Sequence, residues 1–294
     1  MSPVAKIKLA FTGSEADQHQ IDFYDVAQAL IGFQRSLALT THLLLNNKII
    51  THAPALKGAS IRVSPPIAGS WEIMALISLT SAGAYKLGTT PKDTPIGHLV
   101  YSAYDYVINA ILGFNVDYDK SLGQVYEQLK SQQVSVPILP PDRFDTLMEK
   151  CEVAVKEMHR PIVWEETASS AHIFAIVGEQ LVEIGQPLSQ ATYEHIEFTV
   201  RSELAYVIRG RVSGYYSNPF KGRVFLSEHG RQVPFELMEN ARGKATLALI
   251  TESLTANTLY PTNRELGYLT FHAHFLTSKA GTLKRLHVTS VSRA

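Results

Sequence analysis

The sequence predicts an α+β protein: a mixed N-terminal domain with a small antiparallel sheet and several helices over residues 1–200, then a small OB-like β-barrel over 201–294. Three observations carry that reading. Apolar residues recur at helical spacing in the first two thirds, whereas the last hundred residues hold short β-rich runs punctuated by glycine. Charge is also partitioned, with 14 basic and 21 acidic side chains in residues 1–200 against 13 and 6 in 201–294. Equal totals of 27 basic and 27 acidic residues conceal that asymmetry, which points to two domains with different partners or to an acidic and a basic face that meet.

Ala5, Ile7, Leu9 and Phe11 alternate with Lys6, Lys8 and Ala10, the period of a half-buried strand. A helix follows, with Asp22 as its N-cap, Val26, Leu30, Phe33, Leu37 and Leu44 on one face, and Asn46-Asn47 as its stop. Ile61 and Val63 mark a second strand, ended by Pro65-Pro66, and Gly69-Ser70 opens a third at Trp71. Leu99, Ala103, Val107 and Ile111 define another helix, as do Phe144, Leu147, Met148, Cys151, Val155 and Met158, and a shorter one spans 122–129. The prolines at 137, 140 and 141 make the stretch before residue 142 an extended connector. Residues 168–200 fit helix and strand equally well.

Val207, Ile208, Val212, Val224, Phe225, Val233 and Phe235 form three strands separated by turns, a helix covers 246–259, and two alternating runs follow around Phe271 and Val288. Three strands, a helix and two strands is the order of the OB-fold, whose strand face often binds oligonucleotides or saccharides.

Composition narrows the function classes. Hydrophobic residues are 45% and charged residues 18%, as in a globular chain. The single cysteine, Cys151, excludes an intrachain disulfide and a multi-cysteine zinc site, which suits a reducing cytoplasm. The start has no long apolar run of the kind found in secretory signals. Between Glu72 and Lys86 lie 13 uncharged residues, 73–85, too few for the ~20 that a spanning helix needs, so no transmembrane segment is expected.

Two pairs of segments resemble uncharacterised bacterial proteins built on domains of unknown function. They are Gly69-Ser70-Trp71-Glu72 with Thr94-Pro95-Ile96-Gly97-His98-Leu99, and Phe220-Lys221-Gly222-Arg223 with Val233-Pro234-Phe235-Glu236-Leu237. The resemblance spans most of the chain, implies a bacterial origin, and brings no activity and no functional residues.

Alternation places Arg209, Arg211 and Tyr215 on one side of the first barrel strand, and Lys221, Arg223 and Phe225 on one side of the next. Cations screen phosphates and rings stack on unpaired bases, so this face has the chemistry of a single-stranded nucleic-acid site; the competing reading is a surface for an acidic protein face, in the same chain or in a homo-oligomer. His272 and His274 share one side of a strand and His287 can approach them, a weak zinc or nickel set with no carboxylate beside it. Asn115, Asp117 and Asp119 resemble a calcium loop, but Lys120 stands where glycine is required and Tyr126 where glutamate is; Asp119 reads instead as a helix cap. Cys151 lies on an apolar stripe and reads as core, and no nucleophile elbow accompanies the serines.

The expectation is therefore a cytoplasmic binding protein without a cofactor rather than an enzyme. One alternative is an interaction or membrane-engaging effector, as in phage defence, that uses the apolar segment 73–85; another is an unrecognised hydrolase.

Overall fold

The structure is a computed structural model that describes residues 4–64, 71–80, 95–131, 136–260, 266–279 and 281–294. The chain divides into two compact units, Met1–Ile196 and Glu197–Ala294.

In the first unit, β1 (Ala5–Thr12) lies at the centre of a five-stranded antiparallel sheet of order β2-β3-β1-β4-β5. Its neighbours are β3 (Trp71–Leu79) and β4 (Ser170–Val177), flanked by β2 (Ala59–Ser64) and β5 (Gln180–Leu188). Ile7, Leu9 and Phe11 project from one face of β1 into the core. The long helix α1 (Phe23–Asn46) starts where Asp22 accepts a hydrogen bond from the Asp25 N–H at 2.9 Å. It stops at Asn47, whose left-handed backbone (φ 49°) returns its N–H to the Leu43 carbonyl.

Helices α2 (Pro95–Ile111), α3 (Gln124–Ser131) and α4 (Pro141–Glu157) complete the same core, with Tyr104, Tyr106 and Phe144 fully buried. Gly32 makes the crossing of α1 and α4 possible: a Cβ there would stand 2.3 Å from the Ala154 carbonyl oxygen. A short turn of helix, α5 (Arg160–Val163), leads into β4. Residues 168–200, undecided by periodicity, are β4, β5, the helix α6 (Gln190–Glu197) and the two-residue strand β6 (Val200–Arg201). Their pattern is broken by a bulge in β5, which pairs Ala171 with Leu188 but Ile173 with Ile184. The displaced Gly185 N–H is satisfied by Asp105 Oδ1 at 2.7 Å, and burial pushes that carboxyl above its usual range. The predicted cap at Asp119 is corrected: Asp117 Oδ1 accepts from the Asp119 and Lys120 N–H groups.

In the second unit β7 (Tyr206–Tyr216), β8 (Lys221–Leu226) and β9 (Arg231–Leu237) form a meander. Helix α7 (Lys244–Leu259) follows, then β10 (Tyr268–Thr277) and β11 (Leu283–Arg293). Antiparallel pairing of β10 with both β7 and β11, and parallel pairing of β11 with β9, closes a five-stranded barrel. That connectivity is the OB topology, and closure leaves no free edge among these five strands. Val212, Val224, Phe235, Phe271, Leu286 and Val288 fill the interior. Among the described residues, no helix is long and apolar enough to cross a membrane.

Candidate binding face of the barrel

Which side chains share the outer face follows from the strand register. Ile208, Gly210 and Val212 are buried on the inner side of β7, so Arg209 and Arg211 project outward. Val224 and Leu226 turn inward on β8 and Val233 and Phe235 on β9, leaving Phe225 and Gln232 outward. On β10, Leu269 and Phe271 turn inward, leaving Tyr268 outward. Pairing aligns four of these residues across the strands in the order Tyr268, Arg211, Phe225, Gln232. The guanidinium of Arg209 lies 5.0 Å from the centre of the Tyr268 ring, and the Tyr268 hydroxyl is 3.1 Å from Ser227 Oγ. Cation and ring therefore alternate along one row.

One of the sequence-predicted residues stands on the other side of the sheet, and two more keep the outer side but are buried or half-buried there. Tyr215 is corrected to the inner side, where its ring stacks on Phe235 with centroids 6.3 Å apart. The cause is a bulge: Val212 pairs with Val224 but Gly214 with Arg223, so Ser213 is extra and the alternation inverts beyond it. Arg223 keeps the outward parity but is only 8% exposed, so it contributes charge beneath the surface rather than an open contact. Lys221 is half-buried and faces Glu236 in the register. Tyr268 was not among the predicted residues; its position directly after Gly267, at the first residue of a strand, hides its parity from a reading of periodicity.

The histidines do not assemble. His274 faces His287 across β10 and β11, while His272 faces Ser290, beside a bulge. The His274 Nδ1–H donates to the Ser202 carbonyl at 2.9 Å. Burial lowers the His287 pKa, opposed by Glu236 and reinforced by Arg201, Arg285 and His274. Among the described residues no group of three or more His, Cys, Asp or Glu side chains is placed to hold a metal.

In the first unit Cys151 is buried, and burial pushes its thiol up to about 12, so the thiolate needed for nucleophilic chemistry is suppressed. A hydroxyl–imidazole–carboxylate chain does occur on the sheet. Glu183 Oε1 lies 2.8 Å from His172 Nδ1, and His172 Nε2 lies 3.4 Å from Ser170 Oγ. The second contact is long for proton transfer, and the nearer partner of the Ser170 hydroxyl is Thr12 at 2.9 Å. Of the apolar segment 73–85, residues 73–79 belong to β3 with Ala75, Ile77 and Leu79 buried; residues 81–85 lie outside the described residues.

No match is found among curated proteins or among solved structures. Two family models do match, one for each unit: a family of unknown function (DUF7947) over residues 205–292, which contains the barrel, and a domain of unknown function (DUF7946) over residues 7–193. Since the latter alone spans more than half of the sequence, the chain belongs to the DUF7946 family.

Proposed function

We propose that the protein is a binding protein whose OB-like barrel takes single-stranded nucleic acid on its outer face. The observation that carries this reading is the aligned row Tyr268, Arg211, Phe225, Gln232 with Arg209 stacked on Tyr268. Rings at two places in the row supply base-stacking platforms, each worth about 1–3 kcal/mol per base, and the cations draw the phosphate backbone. The excess of seven basic side chains over residues 201–294 supports the same partner class. The reading assigns no reaction, and it places the protein in the cytoplasm, in keeping with its lone, buried cysteine.

Photo-crosslinking tests the assignment. A single-stranded oligonucleotide carrying 5-iodouridine, irradiated with the full chain, is expected to label peptides containing Tyr268 or Phe225. Labelling confined to residues 1–200, or none, would contradict it. Binding of an acidic polypeptide instead of the oligonucleotide would assign the face to a protein partner.

A further inference from the structure

A second surface, in the first unit, has the opposite character. Phe23 is 85% exposed, Tyr24 61% and Trp164 59%. Single exposed rings are ordinary on protein surfaces, but Tyr24 and Trp164 are gathered, since both rings lie against one guanidinium, that of Arg160, at 5.1 and 4.9 Å, and Phe23 directly precedes Tyr24 at the start of α1. Arg160 is itself immobilised: its Nε donates to Asp25 Oδ1 at 3.0 Å and its Nη1 lies 3.5 Å from Glu157. Asp25 is buried and also accepts the Glu165 N–H at 3.3 Å, so the helix start and the segment carrying Trp164 are tied through one carboxylate.

The adjoining loops are held in an uncommon backbone conformation. Ser14 (φ 56°) and Glu166 (φ 51°) both adopt the left-handed region, and the Ser14 hydroxyl donates to the Glu166 carbonyl at 2.8 Å. The Ala16 N–H donates to the Thr167 carbonyl at 2.9 Å, completing the bracing of one loop against the other. Such strain costs free energy, and it persists where the surroundings fix a surface in advance of a ligand. A rigid aromatic surface loses little entropy when it is covered.

Charge selects the partner. Glu165 and Glu166, which directly follow Trp164, are exposed, as are Glu15 and Asp17 on the loop that Ser14 ties to Glu166, and the central cation, Arg160, is already engaged by Asp25 and Glu157. Anionic ligands and anionic lipid headgroups are repelled there, whereas a guanidinium or ammonium gains both from the carboxylates and from the ring faces. Arg160 shows that two of these rings accept a guanidinium. Phe23 and Tyr24 begin α1 and Trp164 directly follows α5, and exposed rings of this kind suit a polypeptide carrying apolar side chains next to its cations.

We propose that the surface formed by Phe23, Tyr24 and Trp164 is a docking site for an arginine- or lysine-bearing segment of a partner protein. This stands apart from the barrel's proposed ligand and does not rest on it.

The test uses the full chain with Trp71→Phe, so that Trp164 is the sole tryptophan of the two in the sequence. It is titrated with a nine-residue peptide alternating arginine and leucine, and with the same peptide carrying glutamate in place of arginine. A saturable change in Trp164 emission with the arginine peptide only is expected. With the peptide labelled, anisotropy is expected to show affinity reduced ~10-fold or more by Phe23→Ala and by the double change Glu165→Lys, Glu166→Lys, as for a hot spot and its steering charges. These side chains are exposed, so far-ultraviolet circular dichroism should not change. No saturable change, equal response to both peptides, or variants that bind like wild type would overturn the proposal. So would self-association that Trp164→Ala abolishes in the absence of peptide binding, which would give the surface to a second copy of the chain.

Discussion

The backbone N–H of Val212 donates to the Ser253 hydroxyl at 2.9 Å, joining the first barrel strand to the helix that follows its third. The same hydroxyl donates to the Gly267 carbonyl, just before β10 begins. Val212 adjoins the bulge at Ser213, where the ladder between β7 and β8 is interrupted. Ser253 is buried and therefore completes the backbone hydrogen bonding at the point where the outer face is defined.

Replacing this serine should accordingly cost more than its size suggests. Ser253→Ala leaves a buried N–H and a carbonyl without their partner, an expected loss of about 1–3 kcal/mol in unfolding free energy. Urea denaturation of the full chain followed by circular dichroism measures it. A change below about 0.5 kcal/mol, the range of an ordinary surface substitution, would show that the bulge is satisfied in another way.

His159 makes stability depend on pH in a definite direction. Its Nδ1–H donates to the Val155 carbonyl at 2.8 Å, and its Nε2 lies 2.9 Å from the Thr192 hydroxyl. Burial lowers its pKa from 6.5 to about 4, with the backbone hydrogen bonds opposing the shift. The unfolded chain takes up the proton first as pH falls, so this stability is fully present above the unfolded pKa of 6.5. It is lost between 6.5 and about 4, amounting to about 3 kcal/mol. The wild type should therefore show a slope in that window that His159→Gln lacks; parallel profiles would contradict neutral burial.

The thiol of Cys151 should be unreactive in the native state. It is enclosed in the helical core with its pKa pushed up to about 12, so reaction with a disulfide reagent requires opening of that core. Native modification is expected to be slower than that of urea-unfolded protein by a factor of ~100 or more. Comparable rates would place the sulfur at the surface and reopen nucleophilic chemistry at this residue.

Much of the architecture was legible because periodicity is a local signal. Asp22 and Asn47 bound α1 where capping chemistry places them, and the run of strands, helix and strands that closes the barrel is visible in glycine spacing and alternation. A bulge erases the same signal: one extra residue, Ser213, turns Tyr215 inward although its spacing from Arg211 places it outward. The bulge in β5 does likewise within 168–200, where only the distant Asp105 accounts for Gly185. The Tyr24–Arg160–Trp164 cluster has no complete local signature: Trp164 lies four residues beyond Arg160, but Tyr24 reaches the same guanidinium only after α1 and α5 have packed.

The most direct test of the barrel reading is fluorescence anisotropy of a labelled fifteen-nucleotide single strand titrated with the full chain at low and at physiological salt. Wild type should bind, with affinity falling steeply as salt rises. Arg209→Glu should flatten the salt dependence, and Tyr268→Ala should weaken binding ~5- to 100-fold through loss of one stacking platform. Absence of binding by wild type at low salt, or equal binding by both variants, would contradict the assignment of the outer face as a nucleic-acid site.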